Sequence, residues 1–209
     1  MSRVLLFALL LSFLAAAPAS ETWQFDNLER IGGHKVTVLG HPRIVRTEAG
    51  KAIEFNGVDD AIYLDTHPLA GAATFTWEAE FRPDKGGAPE QRFFHLQVDG
   101  SDDRMLFEIR VIGDQWCFDT FVKSGPDSKA LLDRTKLHPL GVWYRVKAVY
   151  DGRTLRNYVD EVLQGEGELH AVPQKPGQTS VGVRFNKVNY FKGAVRVARF
   201  STDNESRVK

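Results

Sequence analysis

Along residues 74–82 apolar and polar side chains alternate without a break. Phe75, Trp77, Ala79 and Phe81 fall on one side, with Thr74, Thr76, Glu78, Glu80 and Arg82 on the other. A period of two is the repeat of an extended strand, whose successive side chains leave opposite faces. One face is buried and the other is wet. Pro83 lacks an N–H and ends the run. The same period recurs three times downstream. In residues 92–98, Phe94, Leu96 and Val98 oppose Phe93, His95 and Gln97. In residues 104–111, Met105, Phe107, Ile109 and Val111 oppose Leu106, Glu108 and Arg110. In residues 115–122, Trp116, Phe118 and Thr120 oppose Cys117, Asp119 and Phe121. Asp99-Gly100 and Gly113-Asp114 supply the turns between them.

A hairpin follows. Tyr144, Val146, Ala148 and Tyr150 share a face, Asp151-Gly152 turns the chain, and residues 155–162 return antiparallel. Shorter β-rich runs at 22–25, 36–39, 52–55 and 61–64 are separated by Gly32-Gly33, Gly40-His41-Pro42 and Asn56-Gly57. Residues 165–178, rich in Gly, Pro and Gln, read as a loop. Runs at 179–185 and 191–200 complete the pattern, and 201–209 form a polar tail. There is no long helical stripe and no internal repeat. Many short strands with turns between them predict an all-β fold, a two-sheet antiparallel sandwich.

The first nineteen residues stand apart. Arg3 precedes an apolar run at 4–16, and Ala17-Pro18-Ala19 has the small-x-small form of a cleavage site. That is the build of a signal peptide, so residues 1–19 are expected to be removed and 20–200 to form one domain. The expected location is secreted or periplasmic, with no membrane insertion after cleavage. Lys plus Arg equals Asp plus Glu, 27 of each. No global field exists to attract nucleic acid, which is not an expected partner. Cys117 is the single cysteine, so an intrachain disulfide and a cysteine zinc site are both excluded.

Four landmarks occur in order: residues 52–60 (AIEFNGVDD), residues 75–83 (FTWEAEFRP), Gly141-Val142-Trp143-Tyr144 running through Tyr150-Asp151-Gly152 to Tyr158-Val159-Asp160, and residues 191–196 (FKGAVR). The set resembles the laminin-G-like branch of the concanavalin A-like lectin/glucanase superfamily, across nearly all of residues 20–209. The resemblance implies a jelly-roll of two curved sheets, one of which commonly binds glycans. Two places depart from the family pattern. Glu161 stands where Gly usually follows Tyr-Val-Asp, and Arg196 stands where a late Asp is usual. Several relatives bind calcium at the rim. Here Asp59 and Asp60, beside the Asn56-Gly57 turn, are the remaining oxygen ligands for it, and they equally suit a solvated turn.

Nucleophile and zinc motifs are absent, and the six histidines are scattered. Glu78 and Glu80 lie on one strand face about 7 Å apart, a spacing that glycoside hydrolysis could use beneath a groove. Tyr190-Phe191-Lys192-Gly193 resembles part of a lyase motif whose other parts are missing. A row of outward polar residues is more informative. His95, Gln97, Glu108, Arg110 and Asp119 sit mid-strand opposite apolar neighbours, with Tyr158 and Arg184 as edges. Trp116 and Trp143 could supply aromatic faces, while the phase of Trp116 with its apolar neighbours, like that of Trp23 and Trp77, places it in the core. Such a row suits sugar hydroxyls; it also fits a salt-bridged solvent face. The expected function is an exported, non-catalytic carbohydrate-binding or interaction module, its partner a polysaccharide, another glycan or an extracellular protein. The alternative is a carbohydrate-active hydrolase or lyase using Glu78, Glu80, His95, Glu108 or Tyr190.

Overall fold

The computed structural model describes residues 20–202. The expected signal peptide and residues 203–209 of the tail lie outside the described residues. In chain order the strands are β1 (Ser20–Gln24), β2 (Arg30–Ile31), β3 (His34–Leu39), β4 (Arg43–Thr47), β5 (Gly50–Asn56), β6 (Ala61–Leu64), β7 (Phe75–Pro83), β8 (Glu90–Val98), β9 (Arg104–Ile112), β10 (Gln115–Ser124), β11 (Asp127–Leu132), β12 (His138–Pro139), β13 (Tyr144–Tyr150), β14 (Thr154–Val159), β15 (Val162–Glu168), β16 (Gly177–Val181) and β17 (Lys192–Ser201).

They form two antiparallel sheets. The first runs β15-β14-β13-β7-β17-β5-β4, with β1 also paired to β17; the second runs β11-β10-β9-β8-β16-β6-β3-β2, with β12 on β10. Neighbours distant in sequence, such as β7 beside β13 and β8 beside β16, mean that the chain crosses between layers as a jelly-roll does. The alternating apolar faces meet in between. Phe81 of the first sheet stacks on Phe93 of the second with ring centroids 4.2 Å apart, and Trp77 stacks on Phe107 at 3.6 Å. Trp23, Trp77 and Trp116 are all fully buried. Such ring pairs add about 0.5–1.5 kcal/mol each beyond the apolar area they bury.

Phe93 corrects the alternation expected for residues 92–98. A β-bulge lies between Arg92 and Phe94, so Arg92 pairs with Glu108 while Phe94 pairs with Phe107. The extra residue lets Phe93 and Phe94 both enter the core, and it turns Arg92 to the outer face. A second bulge sits at Arg196, where β17 changes its edge partner from β5 to β1.

The hairpin return is also shorter than expected. Strand β14 stops at Val159, and Asp160-Glu161 turn the chain into β15 with φ of 45° and 65°. Both residues are left-handed, as a two-residue type I′ turn requires. The anticipated loop at 165–178 therefore begins only after Glu168. Strands β4 and β11 escaped the sequence reading because they are edge strands with few buried positions, so no clean alternation marks them.

Candidate functional site

Strands β8, β9 and β10 are neighbours, and their outward residues meet in one depression of about 220 Å³. Its wall comprises Arg92, Arg104, Leu106, Glu108, Arg110, Asp119, Phe121, Ala130 and Arg184. The cross-strand register builds it. Asp119 lies opposite Glu108, and Arg92 lies opposite Glu108 from the other side.

Arg110 joins the acids. Its Nη2 donates to Glu108 Oε2 at 2.9 Å and stands 2.6 Å from Asp119 Oδ2. Arg92 Nε donates to Glu108 Oε1 at 2.6 Å, and its Nη1 donates to Glu90 Oε2 at 3.0 Å. Glu108 and Asp119 are each 3% exposed. Burial pushes the Asp119 carboxyl up to about 7, helped by the adjacent Glu108 charge and opposed by Arg110.

The network is incomplete. Asp119 Oδ1, Arg110 Nη1 and Arg104 Nε are buried without a hydrogen-bond partner. Arg104 Nη1 donates to the Asp102 carbonyl at 2.7 Å, and its guanidinium lies 4.8 Å from the Phe121 ring centroid. Neither Arg104 nor Arg184 has an ion-pair partner among the described residues. Buried polar groups are normally paired, so such atoms at the wall of a depression ask what completes them.

Of the row anticipated from sequence, the structure gathers Glu108, Arg110, Asp119 and Arg184. His95 lies on the same face but is 1% exposed. The Phe185 ring covers it at 4.8 Å, and its Nδ1 accepts the Phe185 N–H at 3.2 Å. Burial first, then the nearby Arg184, Arg104 and Arg92 charges, lower His95 to about 3. It therefore stays neutral and packs. Gln97 turns away to the Ser101 carbonyl, 2.8 Å distant, beside a separate small depression with Gln178 and Phe185.

Tyr158 does not join the row, because β14 belongs to the other sheet; there the Lys147 ammonium lies 5.1 Å from its ring. Trp116 is a core residue and offers no face. Arg92 and Arg104 were missed. The bulge hid Arg92, whereas Arg104 shares the phase of Leu106, Glu108 and Arg110 and could have been found.

The outer face of the first sheet carries a second arginine group. Arg82 and Arg196 lie 5.6 and 5.8 Å from the Trp143 ring, at the edge of a shallow hollow of about 850 Å³ that also includes Arg46 and Ala49. The bulge re-aims Arg196 onto the buried Glu80, and Arg199 Nη1 also donates to Glu80 at 2.9 Å. The carboxylate considered for hydrolysis is thus closed beneath two guanidinium groups. At Asn56-Gly57, the Asp60 oxygens accept the His41 N–H at 2.7 Å and the Asn56 N–H at 3.0 Å, and Asp59 accepts from Asn56 Nδ2 at 2.7 Å. These bonds brace the turn. Among the described residues no three His, Cys, Asp or Glu side chains form a group that could hold a metal.

Known structures share this architecture. Domain 4 of AbnA, a GH43 extracellular arabinanase from Geobacillus stearothermophilus solved with arabinotriose, superposes with a TM-score of 0.66 at 16% identity, over 88% of this chain and 92% of that one. The binding domain of botulinum neurotoxin DC, solved with SialylT and with rat synaptotagmin II, gives TM-scores of 0.59 and 0.60 at 10% identity, over 88% of this chain and 48% of the other. This chain thus spans about half of that toxin domain, and at these identities the likeness is one of fold. No curated protein sequence matches. A laminin-G family model matches residues 56–204, and the chain belongs to the family it describes, the concanavalin A-like lectin/glucanases superfamily.

Proposed function

We propose that this protein is an exported carbohydrate-binding module whose ligand seats on the outer face of the second sheet, over Glu108, Arg110 and Asp119. One observation carries the reading. The β8–β10 face holds a depression whose donors and acceptors are fixed by a buried ion network yet left partly unsatisfied. Rigid polar groups awaiting partners suit sugar hydroxyls, which donate and accept at once. The fold family and the sugar-bound AbnA domain support the reading. Export rests on the leader at residues 1–19.

Catalysis on this face is disfavoured by geometry. Arg110 Nη2 stands between Asp119 and Glu108, 2.6 Å from the one carboxylate and 2.9 Å from the other. Acids flanking a glycosidic bond stand about 5–5.5 Å apart or more, leaving room for the sugar. A guanidinium between the acids leaves none.

Purified protein on a glycan array tests the proposal. Retention on a defined set of polysaccharides, weakened by Arg110→Gln, is the expected outcome. Indifference to every glycan, with the fold intact by circular dichroism, would defeat it.

A further inference from the structure

We infer that the β8–β10 depression is selective for sugars carrying a singly charged oxyanion, a carboxylate or a sulfate ester, which the guanidinium groups of Arg104 and Arg184 grip. The inference rests on the carbohydrate-binding reading and narrows it to a ligand class.

Charge inside the depression does not balance. Four arginines line it, Arg92, Arg104, Arg110 and Arg184, against two acids, Glu108 and Asp119. Glu90 at the rim pairs with Arg92, and Arg134 acts on Glu90 from beyond it. Arg92 and Arg110 are consumed by acids. Arg104 and Arg184 are not. Both line the same depression, and Arg184 is lowered by burial and then by the Arg104 and Arg92 charges, with Glu108 opposing. Like charges held together at a half-buried wall are unfavourable in the empty protein. An anion between them relieves the strain. Guanidinium groups suit oxyanions because their planar N–H pairs match two oxygens at once.

The remaining wall says what carries the anion. Asp119 Oδ1 lies buried without a partner beneath the depression, where a small side-chain shift would let it accept a hydroxyl. Phe121 and Leu106 offer apolar surface. A bare anion uses neither feature; a hydroxylated ring uses both. The volume, about 220 Å³, is below that of a drug-sized site, roughly 300–1,000 Å³, and suits a single sugar unit. A phosphate monoester, carrying about −1.5 to −2, would meet Glu108 and Asp119 unfavourably. With Glu90 at the rim counted, four arginines face three acids, and a single negative charge matches that surplus of one.

Isothermal titration of the full chain provides the test, with four probes: an oligouronate, its methyl ester, a sulfated oligosaccharide and inorganic sulfate. Binding of the oligouronate or the sulfated sugar at least tenfold tighter than the methyl ester or inorganic sulfate is expected. Arg184→Gln and, separately, Arg104→Gln should each weaken that binding about tenfold or more. Arg153→Gln, an exposed ion-pair residue in the turn before β14, should leave it unchanged. Arg184→Gln should also melt at or above the wild-type temperature, since it removes an uncompensated charge. Equal binding of uronate and methyl ester overturns the inference while leaving the carbohydrate reading intact. Tight binding of the acidic sugar that survives both arginine variants overturns it too, by placing the ligand elsewhere. Equal affinity for inorganic sulfate overturns the sugar component. Failure of every probe, together with a blank glycan array, removes both readings.

Discussion

Asp119 and His95 lie on one face and respond to pH in opposite senses. Unfolded Asp119 ionises at about pH 3.9, but the folded carboxyl holds its proton to about 7. Its contribution to stability is full below about pH 3.9 and is lost as pH rises through 7. Asp119→Asn mimics the protonated form. The wild type should therefore lose melting temperature relative to Asp119→Asn between pH 5 and pH 8, as thermal melts at each pH will show. Unfolded His95 takes its proton at about pH 6.5, whereas the folded ring resists until about 3. Its contribution is full above pH 6.5 and falls as pH drops toward 3. His95→Gln should flatten that acid limb in the same melts. The outward phase of His95 was legible from its neighbours, but its burial was not. Phe185, far away in sequence, closes over it, and no local pattern reports that. The positions of Glu108, Arg110 and Asp119 were legible because strict alternation holds along β9 and β10. The assignment of Tyr158 failed for a different reason: periodicity gives a face, never which sheet the face belongs to.

At the scale of elements, bulges and turns decide what the strands present. The bulge at Phe93 adds one aromatic ring to the core without disturbing the pairing of Arg92 with Glu108. Phe93 stacks on Phe81 and is fully buried. Phe93→Ala should cost about 3–5 kcal/mol, read as a fall in denaturant midpoint, while the ion network opposite stays in register. Asp160-Glu161 offers the reverse case. Glu161 sits at φ 65°, where a Cβ crowds the following carbonyl by roughly 1–2 kcal/mol. Its compensation is an ion pair with Lys147 at 2.5 Å, with the glutamate side chain 60% exposed, and exposed pairs contribute little. Glu161→Gly should raise unfolding free energy by about 1 kcal/mol in urea titration. The sequence reading ran one strand through this turn because glycine, the usual sign of left-handed backbone, is missing there. The Asp151-Gly152 turn kept that sign and was placed correctly: Gly152 has φ 96°, and Asp151 Oδ1 accepts the Arg153 and Thr154 N–H groups at 2.9 and 2.7 Å.

For the whole molecule, the sandwich was legible because its two inner faces are written as separate aromatic rows. Phe75, Trp77 and Phe81 come from one sheet, with Phe107, Trp116 and Phe118 from the other. Edge strands carry no such row, and their omission follows from that. The balance of charge has its own consequence. Acids and bases are equal in number over the chain, yet the guanidinium groups of β8 to β10 stand together. Once the leader with Arg3 is removed, acids exceed bases by one, and such a body exerts no pull on a distant anion. Encounter is then left to diffusion, and attraction begins only on touching. Added salt should shorten the stay of an acidic sugar far more than it delays its arrival, a difference that stopped-flow mixing at two ionic strengths will resolve.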